Sequence, residues 1–158
     1  MAVEFHDFSI EVTEALEGAA IRWLHEAIST LQTQAEDNTP RDTGWLMQHW
    51  NHVVDESKLE ATVGNTEENA IWTEMGTGEY ALKGNGRRGG WYILIGEGSG
   101  QISQATVDKY HMKVKYGKDG KKYAFTYGKK PVRMLHNAFV TKKARIIRRA
   151  EEIFGGLG

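Results

Sequence analysis

VTEALEGAAIRWLHEAISTLQTQAEDNTP, residues 12 to 40, is the stretch that decides the architecture. Its apolar residues fall at Val12, Ala15, Leu16, Ala19, Ala20, Trp23, Leu24, Ala27, Ile28, Leu31 and Ala35. That is the i, i+3, i+4, i+7 stripe of a long amphipathic helix, which the spacing predicts over about 11–37. Glu11, Glu14 and Glu17 stand in its first turns, where carboxylates favour the positive end of the helix dipole. Asn38-Thr39-Pro40 stops it, because proline lacks a donor and drives the residue before it out of the helical region.

Downstream the period changes. A short helix over about 43–50 is expected to bury Trp45, Leu46 and Trp50. Asn51 to Asp55 and Leu59 to Asn65 then read as strands joined by a polar turn, with Leu59, Ala61 and Val63 alternating on one face. A brief helix follows from about Glu68 to Met75, and Trp91 to Ile95 is a strand candidate. His111 to Tyr116 and Lys121 to Tyr127 flank GKDG as a hairpin, with Val114, Tyr116, Tyr123, Phe125 and Tyr127 forming an aromatic face. Pro131 opens a last helix, about 132–154, which stops at Gly155-Gly156. One α+β domain spanning 1–158 is expected: an antiparallel sheet over about 51–127, packed by the two long helices and carrying a glycine-rich loop.

Composition narrows the function classes. The chain has 158 residues, 40% hydrophobic and 26% charged, enough to bury roughly two-thirds of its unfolded surface. With no cysteine there is no disulfide framework, thiolate nucleophile or cysteine zinc site. No secretory signal and no apolar run of about 20 residues is evident, so a soluble protein is expected. The net charge of -1 conceals an asymmetry. Residues 1–79 hold 16 acidic and three basic residues, whereas 80–158 hold 17 basic and five acidic. The asymmetry fits a nucleic-acid surface, complementary faces that attract another copy or a partner, or two parts whose charges neutralise locally in the fold.

Several chemical motifs fail on context. Asp42-Thr43-Gly44 spells the aspartic-protease tripeptide, but it follows polar Thr39-Pro40-Arg41 and has no second copy. Asp42 or Thr43 is instead expected to cap the short helix, a role whose loss costs about 1 kcal/mol. Gly84-Asn85-Gly86-Arg87-Arg88-Gly89 matches GxGxxG, yet dinucleotide binding needs a strand before the motif and a helix after it. Here the strand comes after, so a mobile loop carrying two arginines is expected. His49 and His52 match no metal pattern, and Glu67-Glu68 sits where a solvated turn is the ordinary reading. No cofactor or metal is expected. KVKYGKDGKKYAFTYGKKPVR, residues 113–133, has the composition of an aromatic and basic nucleic-acid platform, although period two in a half-buried hairpin would turn the aromatics toward the core.

Three motifs in order carry a resemblance. Pro40, Asp42, Thr43, Gly44 and Leu46 form the first; Ala70, Trp72, Glu74, Met75, Gly76 and Thr77 the second; Gly128, Pro131, Met134, Leu135, Ala138 and Phe139 the third. Together they make residues 12–154 resemble the tailed-bacteriophage family of head–tail joining, tail-completion (tail-terminator) and minor tail proteins. Trp72 stands where that family usually has tyrosine, Met75 and Met134 where it has aromatics, and Asn137 where it often has proline. The resemblance implies a non-enzymatic virion protein, assembled in the host cytoplasm, that joins the tail tube to the head or neck. Its partners would be other copies in a ring, a hexamer by analogy, the tail tube protein and the head–tail connector or neck proteins. DNA would pass the lumen without specific binding, and no membrane is involved. Arg87, Arg88, Trp91, Lys129, Lys130 and Arg133 are the contact candidates, with the 98–110 stretch expected to order against neighbours. Two other classes are a DNA-binding module using the basic half and a small hydrolase using Asp42.

Overall fold

The computed structural model describes residues 9–41, 44–98 and 100–157. The fold is α+β and contains two small antiparallel sheets where the sequence pattern anticipates one. The chain divides into two compact units, 1–70 with 133–158, and 71–132.

In the first unit the long helix α1 runs Ser9–Asn38 and the C-terminal helix α5 runs Met134–Gly155. They pack antiparallel, with Asn38 Nδ2 donating to the Met134 carbonyl (2.9 Å) at one end and the Arg149 guanidinium holding the Glu26 carboxylate (2.6 and 3.0 Å) toward the other. Ala19, Ile28 and Ala35 of α1 and Met134, Ala138 and Ile153 of α5 are all buried. Ala19 shares the α1 face of Trp23 and Glu26, which bond to α5 at the Ile146 carbonyl and Arg149, so a small residue stands where the two helices approach. The basic α5 therefore lies on the acidic α1, so part of the charge asymmetry neutralises inside this unit, which retains 16 acidic residues against nine basic.

The end of α1 is fastened by a residue with no obvious sequence signal. Thr39 is buried; its hydroxyl donates to the Ala35 carbonyl (2.7 Å) and accepts the Trp50 indole N–H (2.8 Å). Pro40 follows directly. The short helix α2, Trp45–Gln48, is briefer than expected, and its N-cap position is Gly44 at φ +73°, which has no side chain to cap with. The capping expected of Asp42 and Thr43 falls outside the described residues. Trp50 belongs to strand β1, Trp50–Asp55, where it is buried, while Trp45 is 58% exposed and stacks on His49 instead of filling a core.

β1 pairs antiparallel with β2, Glu60–Asn65, in the register Val54↔Ala61 and His52↔Val63. Leu59 does not begin β2: at φ +52° it closes the turn, in which Asp55 accepts the Lys58 N–H and the Ser57 hydroxyl. α1 packs on this hairpin, with Gln32 Nε2 donating to the Trp50 carbonyl (3.3 Å).

Helix α3, Glu68–Met75, carries the chain into the second unit. There a three-stranded sheet has the order β3-β5-β4, built from Trp91–Leu94, Lys122–Thr126 and Val114–Tyr116. β4 starts later than the alternation implies because His111 sits at φ +47° and turns the chain. The pairing also divides the expected aromatic face. Tyr92↔Phe125, Leu94↔Tyr123 and Lys115↔Tyr123 share one side, whereas Val114↔Ala124 and Tyr116↔Lys122 share the other. A helix absent from the sequence reading, α4 at Gln104–Lys109, occupies the 98–110 stretch: the Ser103 hydroxyl caps it by accepting the Thr106 N–H, and Val107 is buried. Among the described residues no helix is long and apolar enough to cross a membrane.

Candidate functional site: a basic-rimmed apolar groove

The end of the second motif and the start of the third meet inside the second unit. The Thr77 N–H donates to the Lys129 carbonyl (2.9 Å), and the Lys129 N–H returns a bond to Thr77 Oγ1 (2.9 Å). The Glu79 N–H donates to the Tyr127 carbonyl, and the Val132 N–H to the Thr73 carbonyl at 2.8 Å. Two glycines make this approach possible. Gly76 lies at φ +73°, where a Cβ would come within 2.8 Å of the Tyr80 carbonyl oxygen and 2.9 Å of Lys129 O and Pro131 Cδ. Gly128 lies at φ +115°, where a Cβ would run into the Thr77 carbonyl. Pro131 is thereby packed in the junction and does not open α5. Val132 has committed its N–H to Thr73, and Arg133, at φ +57°, breaks the helical dihedrals, so α5 begins at Met134.

Beside the junction, α3 and the loop after a short 3₁₀ turn at Gly78–Tyr80 enclose a groove of about 460 Å³. Ile71, Trp72, Met75, Leu82 and Trp91 supply apolar walls, and Lys83 and Arg87 stand on its edge. Ile71, Trp72 and Leu82 are each about half exposed, at 55%, 54% and 49%. Single exposed apolar side chains are ordinary, but three on the walls of one concavity make it the candidate site. The Arg87 guanidinium lies 5.4 Å above the Trp91 ring, a cation–π arrangement that fixes both.

The contact candidates separate accordingly. Arg87 and Trp91 line the groove; Arg88 lines a smaller neighbouring cleft of about 390 Å³ with Gly78, Glu79, Gly84 and Gly86. Lys130 reaches over the Tyr80 ring at 5.8 Å. Lys129 turns its ammonium onto the buried Thr73 hydroxyl (2.9 Å), so it serves the junction. Arg133 belongs to the first unit. The glycine-rich loop is tethered: the Gly84 N–H donates to the Ala81 carbonyl and the Gly89 N–H to Glu79 Oε1 (2.9 Å). Of the structural-motif residues, Glu74 is half-buried on α3 and Leu46 gives its carbonyl to Asn65 Nδ2.

The basic hairpin departs from the expectation of inward aromatics. Tyr92, Tyr116 and Tyr127 are 42%, 69% and 48% exposed. Phe125 packs edge-on against both Tyr92 and Tyr127, and Lys115 Nζ sits 3.5 Å from the Tyr92 ring centre. The sheet is too narrow to cover both of its faces, so period two here distributes the aromatics over two surfaces.

His49 Nδ1 is hydrogen-bonded to the Trp45 carbonyl (2.7 Å) and His52 to Gln32, so the two rings serve different neighbours. Among the described residues no three His, Asp or Glu side chains are grouped to hold a metal ion. No family model matches the chain, and neither a curated protein nor a solved structure is similar to it.

Proposed function

We propose that this chain is a structural subunit of a tailed-bacteriophage virion that closes the tail tube and joins it to the head or neck, acting by ring assembly. One observation supports the reading most: the second and third of the motifs that carry the resemblance meet where the chain crosses itself. Gly76 and Thr77 of the second motif lock to Gly128, Lys129 and Pro131 around the third. The first motif lies just past the end of α1, where Asn38 is tied to Met134 of the third. Gly76 and Thr77 lie about fifty residues from Gly128 and Pro131, and their meeting at one backbone crossing makes the second and third motifs a coherent pair.

The assembly role follows from the surfaces. The first unit carries an excess of acid and the second an excess of base, 11 basic residues against five acidic. Opposite net charges on the two units favour contacts between unlike units of neighbouring copies, which close into a ring under the right rotation. The groove, with Arg87 and Trp91 on it, and Lys130 and Arg88 nearby, offers anchors of the aromatic and arginine type that dominate interfaces. Its partners are other copies of the chain, the tail tube protein and the neck or connector proteins, and the protein resides in the virion after assembly in the host cytoplasm. The reading assigns no chemical step to Asp42 and no cofactor or metal.

The test is negative-stain imaging of tail tubes incubated with the purified protein. Ring-shaped density closing tube ends is expected; tubes whose ends stay bare at saturating protein would sink the proposal.

A second reading, a DNA-binding module, is favoured by the exposed Tyr92, Tyr116 and Tyr127 amid lysines. Against it, Lys115 already occupies the Tyr92 ring and Phe125 packs edge-on between Tyr92 and Tyr127. Tight, steeply salt-dependent binding of duplex DNA by the isolated subunit would favour this reading over ring assembly.

A further inference from the structure

α1 has 30 residues and α5 has 22, so at about 1.5 Å per residue α1 is longer by about 12 Å. Because Asn38 is tied to Met134, the first residue of α5, the excess lies at the N-terminal end of α1. Counting onward from the Glu26–Arg149 ion pair, α5 runs out about level with Ala20. Burial follows that count. Ala19 is fully buried, whereas every residue from Ser9 to Gly18 is exposed. The apolar stripe nevertheless continues: Val12, Ala15 and Leu16 lie on the same helix face as Ala19, with Val12 and Leu16 54% and 47% exposed. Ser9 to Gly18 holds three carboxylates, Glu11, Glu14 and Glu17, and no basic residue. The result is an acidic, amphipathic helix end that, among the described residues, extends past the end of α5.

We infer that this overhang docks into the basic-rimmed groove of a second copy of the chain. The two surfaces match in chemistry and form. Val12 and Leu16 offer aliphatic side chains to walls of Ile71, Trp72 and Leu82, in a concavity of a size that takes small anchors. Glu11 and Glu17 flank the stripe and meet Lys83 and Arg87 on the rim. The overhang belongs to the first unit and the groove to the second, so the contact joins unlike patches of two copies. The inference rests on the reading that the chain assembles with itself, and it names the interface.

The experiment uses two full-length variants, Glu11→Lys/Glu17→Lys and Lys83→Glu/Arg87→Glu, with circular dichroism confirming that each folds. Sedimentation velocity should show each variant alone associating about tenfold or more weakly than the unaltered protein. An equimolar mixture should recover association, because reversed helix meets reversed groove and native helix meets native groove. The inference is overturned if either variant assembles as well as the unaltered protein, or if the mixture fails to recover association. Rings that form and cap tubes despite both reversals would remove this interface and leave the proposed function standing. A chain that is monomeric alone yet binds tubes through Arg87 would assign the groove to the tube protein and overturn self-docking.

Discussion

At the scale of the residue, the fold depends on a few atoms that have one place to go. The buried Trp50 N–H has the Thr39 hydroxyl as its acceptor. Thr39→Val, which keeps the shape and removes the acceptor, should lower unfolding free energy by about 1–3 kcal/mol in urea titration. Gly128→Ala should cost about 2 kcal/mol or more, since it adds backbone strain at φ +115° to a collision with the Thr77 carbonyl. The ion pair on α5 behaves differently because it is exposed. The Arg149 hydrogen bond holds Glu26 below its ordinary 4.5, with the neighbouring positive charge adding to the effect. A carboxylate whose folded pKa is depressed stabilises the fold above its unfolded value and loses that contribution as the pH falls through the folded one. Glu26→Gln should therefore lower Tm at neutral pH, with the difference from the parent shrinking as the pH drops below about 4. Gly76 and Pro131 were visible in the sequence as motif members; Thr39 was not, because a buried threonine differs from an exposed one only in a partner 11 residues away.

At the scale of the element, periodicity was a reliable guide where a helix or strand buries one face against a broad partner. α1, α3 and the β1–β2 pair lie close to where their patterns put them. It failed where local backbone chemistry or a narrow sheet took over. Leu59, His111 and Arg133 all adopt positive φ and each shifts a boundary, a choice made by turn geometry that no hydrophobic pattern records. α4 was missed because it has six residues and one buried side chain, Val107, too few for a stripe; Ser103 three residues before Thr106 was its one usable signal. Ser103→Ala should cost about 1 kcal/mol, with hydrogen exchange rising first at the amides of 104–109. Along α1, truncating an aliphatic side chain to alanine should have two different costs. Ile28→Ala, at a buried position of α1, should lose about 2–5 kcal/mol, while Leu16→Ala, on the exposed helix end, should lose well under about 1 kcal/mol in the isolated subunit.

At the scale of the whole molecule, the separation of charge was legible from residue counts, but its disposition was not. The basic C-terminal helix returns to the acidic N-terminal one, which leaves acidic and basic excesses on different compact units rather than on the two halves of the chain. The groove was half legible: Arg87 and Trp91 were named as contact candidates and Trp72 as a motif residue from the sequence, while Ile71 and Leu82 join them only once α3 and the loop fold over one another. Assembly driven by such surfaces should weaken with salt, since screening shortens the reach of rim charges to about 8 Å at physiological ionic strength. Apparent self-association should therefore fall as sodium chloride is raised. The central claim is that this chain is a ring-forming subunit, and native mass spectrometry tests it most directly. A single closed multiple of the subunit mass, with no ladder of open intermediates at saturating concentration, is the predicted result. A monomer at every concentration, with or without tail tubes, would contradict it.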